Sequence, residues 1–572
     1  MAVFFNGRLW ISPAVMSQVN DQAMFNPNLD VGNILALVGA STRGSPNTPV
    51  MFGNPTDAVN YFGTGDLADA AGRCFDPSGD TVGPAKLMGI RVNPATQSTL
   101  ALNDAAASAV IDLVSTDYGA YTKQIKVKVE AASVSGLKLT TQFGNAYFTQ
   151  DNVFRNAFSI QYSGGQSTAV MTVSGTQVIL QAPSGTPVAT LDLSVLSTVQ
   201  QLVDAINAVS SFSASVLDGN GSAPTLNGLD FVTSQDVKTA LYTAVANLQA
   251  AVDWFNSAGE GFVTATRHTG AGKVPAAVAF TYLAGGSDGS ITNTQWSNAF
   301  TVLQTQDIQW LTPLTSDASI TAMGDAHCSF MSNVGRMERR QICGTALNTS
   351  DASAITAAKA LNSDRSSLVH LGMWDYNPAG VLTLYPPYIL AAMIAAAFSG
   401  VNPGTALTNK SLKIRGLERD LQNPVATDPL IQGGVLCVEN TPKGYKVVKS
   451  ITTWLTNRNY NRVEVSCGVA LDFTCRNVRE ALADLKGAKG NNETLTQAVS
   501  RTDTVLSQLS KAEPLGPGVL AGDAANPPYK NITAKLVGDV IAVSFQASPV
   551  IPVNYITVTV FAVPFSGTAV AA

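Results

Sequence analysis

The chain is expected to fold as an α+β, multidomain protein. The predicted parts are a discontinuous α/β core, a β-rich inserted domain, a C-terminal α+β domain, and extended N- and C-terminal arms. Three observations predict this. The 572 residues amount to several domains at roughly 100–200 residues each. Strand–helix–strand order appears in two stretches separated by a run of short alternating strands, the pattern of an α/β layer with something inserted. Both ends are poor in charge and lack helical periodicity.

Residues 1–30 hold only Arg8, Asp21 and Asp30 as charges and read as the N-terminal arm. The first part of the core, 31–109, opens with a continuous apolar run at 34–39 (ILALVG), the mark of a strand buried on both faces. A Gly/Pro turn, a short strand at 49–52, helices at 55–62 and 67–75, and a strand at 85–92 follow. Over 110–272 the character changes to the β-rich insert. There 123–130 (KQIKVKVE) alternates with period two, 168–180 and 187–193 lie between Gly/Ser/Pro turns, and only 199–209 and 237–255 read as helices.

The second part of the core, 273–429, resumes with a strand at 277–283 and helices near 293–304 and 319–338. Strands are expected at 308–313, 341–346 and 367–373. Residues 388–398 (YILAAMIAAAF) are apolar throughout but fall short of the about 20 needed to cross a bilayer, so they form a buried helix. The C-terminal domain, 430–548, has strands at 434–439 and 445–454 and helices at 472–486 and 494–511. Three terminal strands complete the chain, the last within an arm over 549–572.

Charged residues make up only 13% of the chain and hydrophobic ones 45%, against about a quarter charged in an ordinary domain. Mean hydropathy is +0.14 and the pI about 5.3. A net charge of −5 excludes a nucleic-acid-coating surface, and the apolar content excludes disorder. The start, MAVFFNGRLWISP, lacks the basic-then-apolar order of a signal peptide, and no membrane insertion is expected. So little charge points to a surface largely covered by other subunits, because interface cores are depleted in charge. Cys74, Cys328, Cys343, Cys437, Cys467 and Cys475 include no C-x2-C pair; most read as small, reduced core residues, with cross-linking in an oxidising medium left open.

Motifs that could carry chemistry are weak. Residues 285–289 (GGSDG) fit the G-x-S-x-G nucleophile elbow, which would make Ser287 the nucleophile of an α/β-hydrolase-like enzyme. The elbow needs a helix directly after the serine, whereas the next expected helix starts near 293, and only His327 and His370 lie downstream as bases. Residues 270–274 (GAGKV) fail as a phosphate loop, with Arg267 where the first glycine belongs and Val274 where Ser/Thr should bind magnesium. His327 and Cys328 are adjacent on one element and point apart. No catalytic residue, metal ligand or cofactor is assigned. In the helix expected over 476–486, Val478, Ala481, Leu482 and Leu485 share one face. Arg476, Arg479 and Lys486 form a basic strip beside an acidic strip of Glu480 and Asp484.

Several stretches together resemble the sheath proteins of contractile phage tails, relatives of R-type pyocin and type VI secretion sheaths. These are 34–49 (ILALVGASTRGSPNTP), the strand, GGSDG and helix at 280–300, 407–417 (LTNKSLKIRGL), 446–455 (KVVKSITTWL), 459–482 (NYNRVEVSCGVALDFTCRNVREAL) and the Gly/Asn turn at 487–492. The family's P-G-V-Y-type start is absent. The resemblance implies a structural, non-enzymatic subunit of the virion tail, assembled in the host bacterial cytoplasm. It implies a helical homopolymer of six-fold rings around the inner tail tube protein, meeting baseplate and tail terminator proteins, with no nucleic acid bound. The arms would pass into neighbouring subunits as added strands, the insert would lie outermost, and the Arg476, Arg479 and Lys486 strip would face the tube. A closed-shell virion structural protein is the competing structural reading.

From Val540 to Ala572 there is no Asp, Glu, Lys or Arg. Within this stretch 554–563 alternates, with Ile556, Val558, Val560 and Ala562 on one face and Thr557 and Thr559 on the other, bracketed by Pro552 and Pro564. An uncharged Val/Ile-rich strand is an aggregation hazard at an open edge, so this one is expected to be filled by a neighbouring subunit. Ten residues reach roughly 33 Å, enough to cross a subunit boundary.

Overall fold

The computed structural model describes residues 3–5, 8–10, 34–257, 261–565 and 567. It forms two compact units, one of residues 1–40, 47–92 and 292–572 and the other of 41–46 and 93–291. Most of the expected N-terminal arm lies outside the described residues. Within it, Val3–Phe5 pairs antiparallel with Arg8–Trp10.

The first unit is built on a six-stranded sheet in the order Ser366–Val369, Arg340–Gly344, Trp310–Pro313, Ile34–Gly39, Lys86–Arg91, Val50–Phe52. The first five are parallel and the Val50–Phe52 edge is antiparallel. Parallel strands need cover on both faces, and Leu35, Ala36, Leu37 and Val38 are fully buried. Helix Pro387–Ser399 supplies part of that cover. It is apolar all round and buried from Ile389 onward, as such a composition requires, and its Phe398 stacks on Trp310 at 4.8 Å. Helix Pro55–Phe62 starts where Asn54 accepts from the Asp57 N–H, with proline at its first position. Its Phe62 ring lies on Gly89, where a Cβ would come within 2.4 Å. Only glycine lets that ring close on the strand.

Two elements of this unit depart from the sequence reading. Helix Asp351–Leu361, capped by Ser350 and closed by left-handed Asn362, occupies what reads as a plain connection. The strands expected at 434–439 and 445–454 contract to a hairpin, Val438–Thr441 with Gly444–Val447, joined by Ser411–Leu412.

The second unit is mostly antiparallel. One core lies under the sheets of Thr99–Asn103, Ala109–Ser115 and Val263–Arg267 and of Val278–Tyr282, Lys126–Ala131, Leu137–Phe143 and Ala146–Val153, with helix Asn247–Ser257. A second core holds helix Val199–Asn207 against strands including Asn156–Tyr162, Val170–Val173 and Gln177–Gln181. The unit extends to both sides of the expected 110–272. The strand expected at 277–283 does not resume the α/β alternation: Val278–Tyr282 pairs antiparallel with Lys126–Ala131. The helix expected over 237–255 is shortened because Tyr242–Val245 pairs with Asn156–Tyr162 before the turn into Asn247.

Asp230 caps that helix, accepting the N–H groups of Asn247 at 3.1 Å and Leu248 at 3.0 Å. Burial raises its pKa to about 6, against these bonds and the nearby Arg267, which favour the charge. A pKa raised on folding means that the folded unit holds the proton more tightly than the unfolded chain, so stability falls as pH rises from about 4 through about 6. The wild-type melting temperature minus that of Asp230→Asn, which removes this titration, should therefore fall across that window. A constant difference would show that Asp230 does not titrate there.

Candidate functional site

The C-terminal part of the first unit is two helices and a hairpin. Helix Val465–Leu482, longer at its start than expected, packs Ala470, Phe473, Val478 and Ala481 against Val505, Leu506 and Leu509 of helix Asn492–Ser510. Hairpin Tyr529–Val537 with Val540–Ala547 lays Tyr529, Ile532, Phe545 and Ala547 on the same cluster. Its alternating pattern leaves the other face, including Lys530, Lys535, Ala542 and Ser544, toward solvent.

Beyond the hairpin the chain is tied to the body for a few residues only. The Ala521 N–H donates to the Ser548 carbonyl and the Val550 N–H to the Val519 carbonyl, both at 3.0 Å. The Cys467 thiol meets the Val550 carbonyl at 3.3 Å. Asn554 Nδ2 donates to Glu464 Oε1 at 2.9 Å, and Thr408 Oγ1 donates to Asn554 Oδ1 at 3.3 Å. Lys449 Nζ lies 5.7 Å above the Tyr555 ring. Ile556, Val558 and Val560 are 80–82% exposed and Phe561 86%, and Ala562 is exposed as well.

The expected strand over 554–563 is thus not formed within the chain, since 551–565 carry no strand pairing. Residues 549–554, expected to belong to the arm, are anchored to the body. Burying these apolar groups would be favourable at about 25 cal/mol per Å², yet the chain offers them no internal partner among the described residues. Hydrophobic surface left out in this way marks an interaction segment.

The basic strip is placed otherwise than the helical wheel suggests. Arg476 Nη1 pairs with Asp307 Oδ2 at 2.7 Å and is largely buried, and Arg479 Nη2 pairs with Glu338 Oε2 at 2.5 Å. Both guanidiniums are engaged by carboxylates far away in sequence, so they do not form a free face. Lys486, past the helix end, is exposed. One turn earlier, Asp472 Oδ2 accepts from Arg340 Nε at 3.0 Å and Nη2 at 2.9 Å and from Arg365 Nη1 at 2.7 Å. A Cβ at Gly468 would stand 2.2 Å from Arg340 Nη2, so the glycine admits this guanidinium to the helix surface.

The enzyme-like motifs resolve into structure. Residues 288–292 after Ser287 are irregular, helix Asn293–Leu303 begins only afterward, and the Ser287 hydroxyl accepts from the Gly289 N–H at 3.1 Å. No nucleophile elbow exists. The loop at 270–274 is followed by Val278–Tyr282, a strand rather than the helix a phosphate loop needs. His327 accepts from Arg339 Nη1 at 3.1 Å, and its pKa is lowered to about 4 by burial and then by that guanidinium. His370 bonds Asp351 at 3.0 Å. Cys328 is buried, and burial pushes its thiol up to about 12. Five of the six cysteines are buried, as expected of most of them, and Cys475 is exposed. Among the described residues no group of three His, Cys, Asp or Glu is placed to hold a metal ion, and no helix is long and apolar enough to cross a membrane.

No family model matches the chain. The tail sheath protein of Bacillus phage SP01 is 29% identical to it, with 99% of this chain and 98% of that protein covered. The crystal structure of a sheath tail protein from Desulfitobacterium hafniense superposes with a TM-score of 0.56 at 12% identity, covering 94% of this chain and 96% of the other. One from Listeria innocua gives 0.55 at 13% identity, covering 92% and 94%. The chain is thus similar in sequence, over nearly its whole length, to a phage tail sheath protein and alike in fold to sheath tail proteins.

Proposed function

We propose that the chain is the structural subunit of a contractile phage tail sheath. Copies polymerise head to tail as a helical stack of six-fold rings around the inner tail tube, between baseplate and tail terminator proteins. The stack then shortens to drive the tube through the bacterial envelope for genome delivery. The observation that carries this reading is the uncharged apolar segment over 556–565, exposed and without a strand partner among the described residues, in a chain similar to sheath proteins.

Non-closing contacts of one patch with a different patch generate helices rather than closed oligomers, and strand addition at a sheet edge supplies such a contact. The hairpin Tyr529–Val537 with Val540–Ala547 is a two-stranded sheet, with both outer edges unpaired among the described residues and a length that suits a ten-residue strand. Subunits tethered by exchanged strands can re-pack as rigid bodies without separating. The long form is then held by a kinetic barrier rather than by greater stability. Lys486 is the member of the basic strip left to meet an acidic tube surface. Negative-stain microscopy of the purified chain should show tubes of variable length with six-fold end views. Closed particles of one size would refute the sheath reading.

The second unit is the proposed peripheral domain. An antiparallel bridge between Thr96 and Ser287 brings its incoming and outgoing chains side by side, so a short linker can join them. Replacing residues 97–286 by four Gly/Ser residues should leave a soluble chain that still forms tubes. Loss of tubes from a folded, soluble product would place polymer contacts in this unit.

A further inference from the structure

We propose that Glu464 and Asn554 form a clamp that fixes the root of the C-terminal arm, so that the arm leaves the body, and pivots, at Tyr555. This rests on the arm-exchange reading above. Glu464 sits at the N-terminal end of helix Val465–Leu482 with extended backbone, and its side chain does not cap that helix. It turns instead into the body, where it is 1% exposed and meets Lys449 Nζ at 3.2 Å. Its other contact is the Asn554 amide at 2.9 Å, and the opposite end of that amide is held by Thr408.

A buried carboxylate is costly unless paired and hydrogen-bonded. Such groups are weak as stability devices, and their better-attested use is in specifying one arrangement. An amide carries donors and an acceptor on one short side chain, so Asn554 can bond Glu464 Oε1 and Thr408 together, and the bond matters the more because Glu464 Oε2, also buried, has no hydrogen-bond partner among the described residues. Its position is what gives the clamp an effect. The backbone is held as far as Val550, whereas Ile551 is 51% and Val553 78% exposed and neither is tied down by a backbone bond. Without the amide the free chain would begin at Ile551 rather than Tyr555. Each added free residue dilutes the arm at the neighbour's edge, because effective concentration falls with tether length.

The experiment uses the full chain with Asn554→Ala, Asn554→Asp, which sets two carboxylates against each other, and the double variant Glu464→Gln with Asn554→Asp. The double variant keeps one carboxylate near Lys449 and reverses the hydrogen bond. Brief proteinase K trimming of unpolymerised protein, read by mass spectrometry, locates where the free segment begins. In wild type it should stop near Asn554. Both single variants should move it upstream by about four residues and raise the critical concentration for polymerisation about twofold, and the double variant should restore both. An unmoved boundary, or single variants that fail to fold, would overturn the clamp. A chain ending at Tyr555 that still polymerises would overturn arm exchange instead, and the boundary shift would then stand without its polymer effect.

Discussion

A chain truncated after Tyr555 should fold, melt at the wild-type temperature and form no polymers. The residues removed are the apolar, highly exposed part of the arm, with Ile556, Val558, Val560, Phe561 and Val563 all at least 80% exposed, so their loss takes no packing from the body. In a polymer the same residues would add a strand to a neighbour. Each main-chain hydrogen bond contributes about 0.5–1.5 kcal/mol net, and several per arm together with the apolar burial make a contact strong enough to decide assembly. Every subunit would both lose its own arm and have its receiving edge left empty. The cut site matters. Truncation after Ser548, the boundary expected between the C-terminal domain and the arm, would also remove the Val550 and Asn554 ties to the body and confuse assembly with stability. Sedimentation and microscopy beside a thermal melt give the result. Tubes from the shortened chain would sink the exchange role, as would loss of the folded state.

What could be read from the sequence divides along the range of the interactions involved. The strand at 34–39, the helix at 55–62 and the buried helix near 388–398 declare themselves through local pattern, and they appear as Ile34–Gly39, Pro55–Phe62 and Pro387–Ser399. Helix Asp351–Leu361 had a local signal too, a serine cap before an alanine-rich run ending in asparagine, but with almost no apolar face to give it a period. The strand at 278–282 was legible as a strand, yet its sheet was not, because that depends on pairing with residues some 150 positions earlier. The ion pairs of the basic strip were illegible for the same reason. A helical wheel shows which side chains share a face, but the carboxylates of Asp307 and Glu338 come from elsewhere in the fold. The arm was legible in the opposite sense, since a long uncharged stretch needs a partner wherever it goes, though the anchored root at 549–554 was not.

The largest stability effect is expected at Asp472, where Asp472→Ala should cost about 3–5 kcal/mol, the usual consequence of removing one side of a buried ion pair. One carboxylate oxygen there accepts from Arg340 through two nitrogens and from Arg365 through one. The Arg340 side chain is 5% exposed and that of Arg365 14%, so water cannot replace what the carboxylate supplies. Arg340 lies in the central sheet and Asp472 on the C-terminal helix, so the cluster ties these two parts of the unit together. Removing Asp472 leaves two like charges facing each other in a poorly hydrated space, and burial already opposes the charge on Arg340. Asp472→Asn keeps the shape and one acceptor and should cost less, which separates lost charge from lost volume. By contrast, Arg479→Ala removes a guanidinium that is 38% exposed and leaves the 7%-exposed Glu338 without it, so a smaller cost of about 1–3 kcal/mol is expected. Urea denaturation followed by hydrogen exchange in the Arg340–Gly344 strand measures all three. If Asp472→Ala shifts the midpoint no more than Arg479→Ala does, then water reaches the cluster and the two arginines are solvated rather than buried.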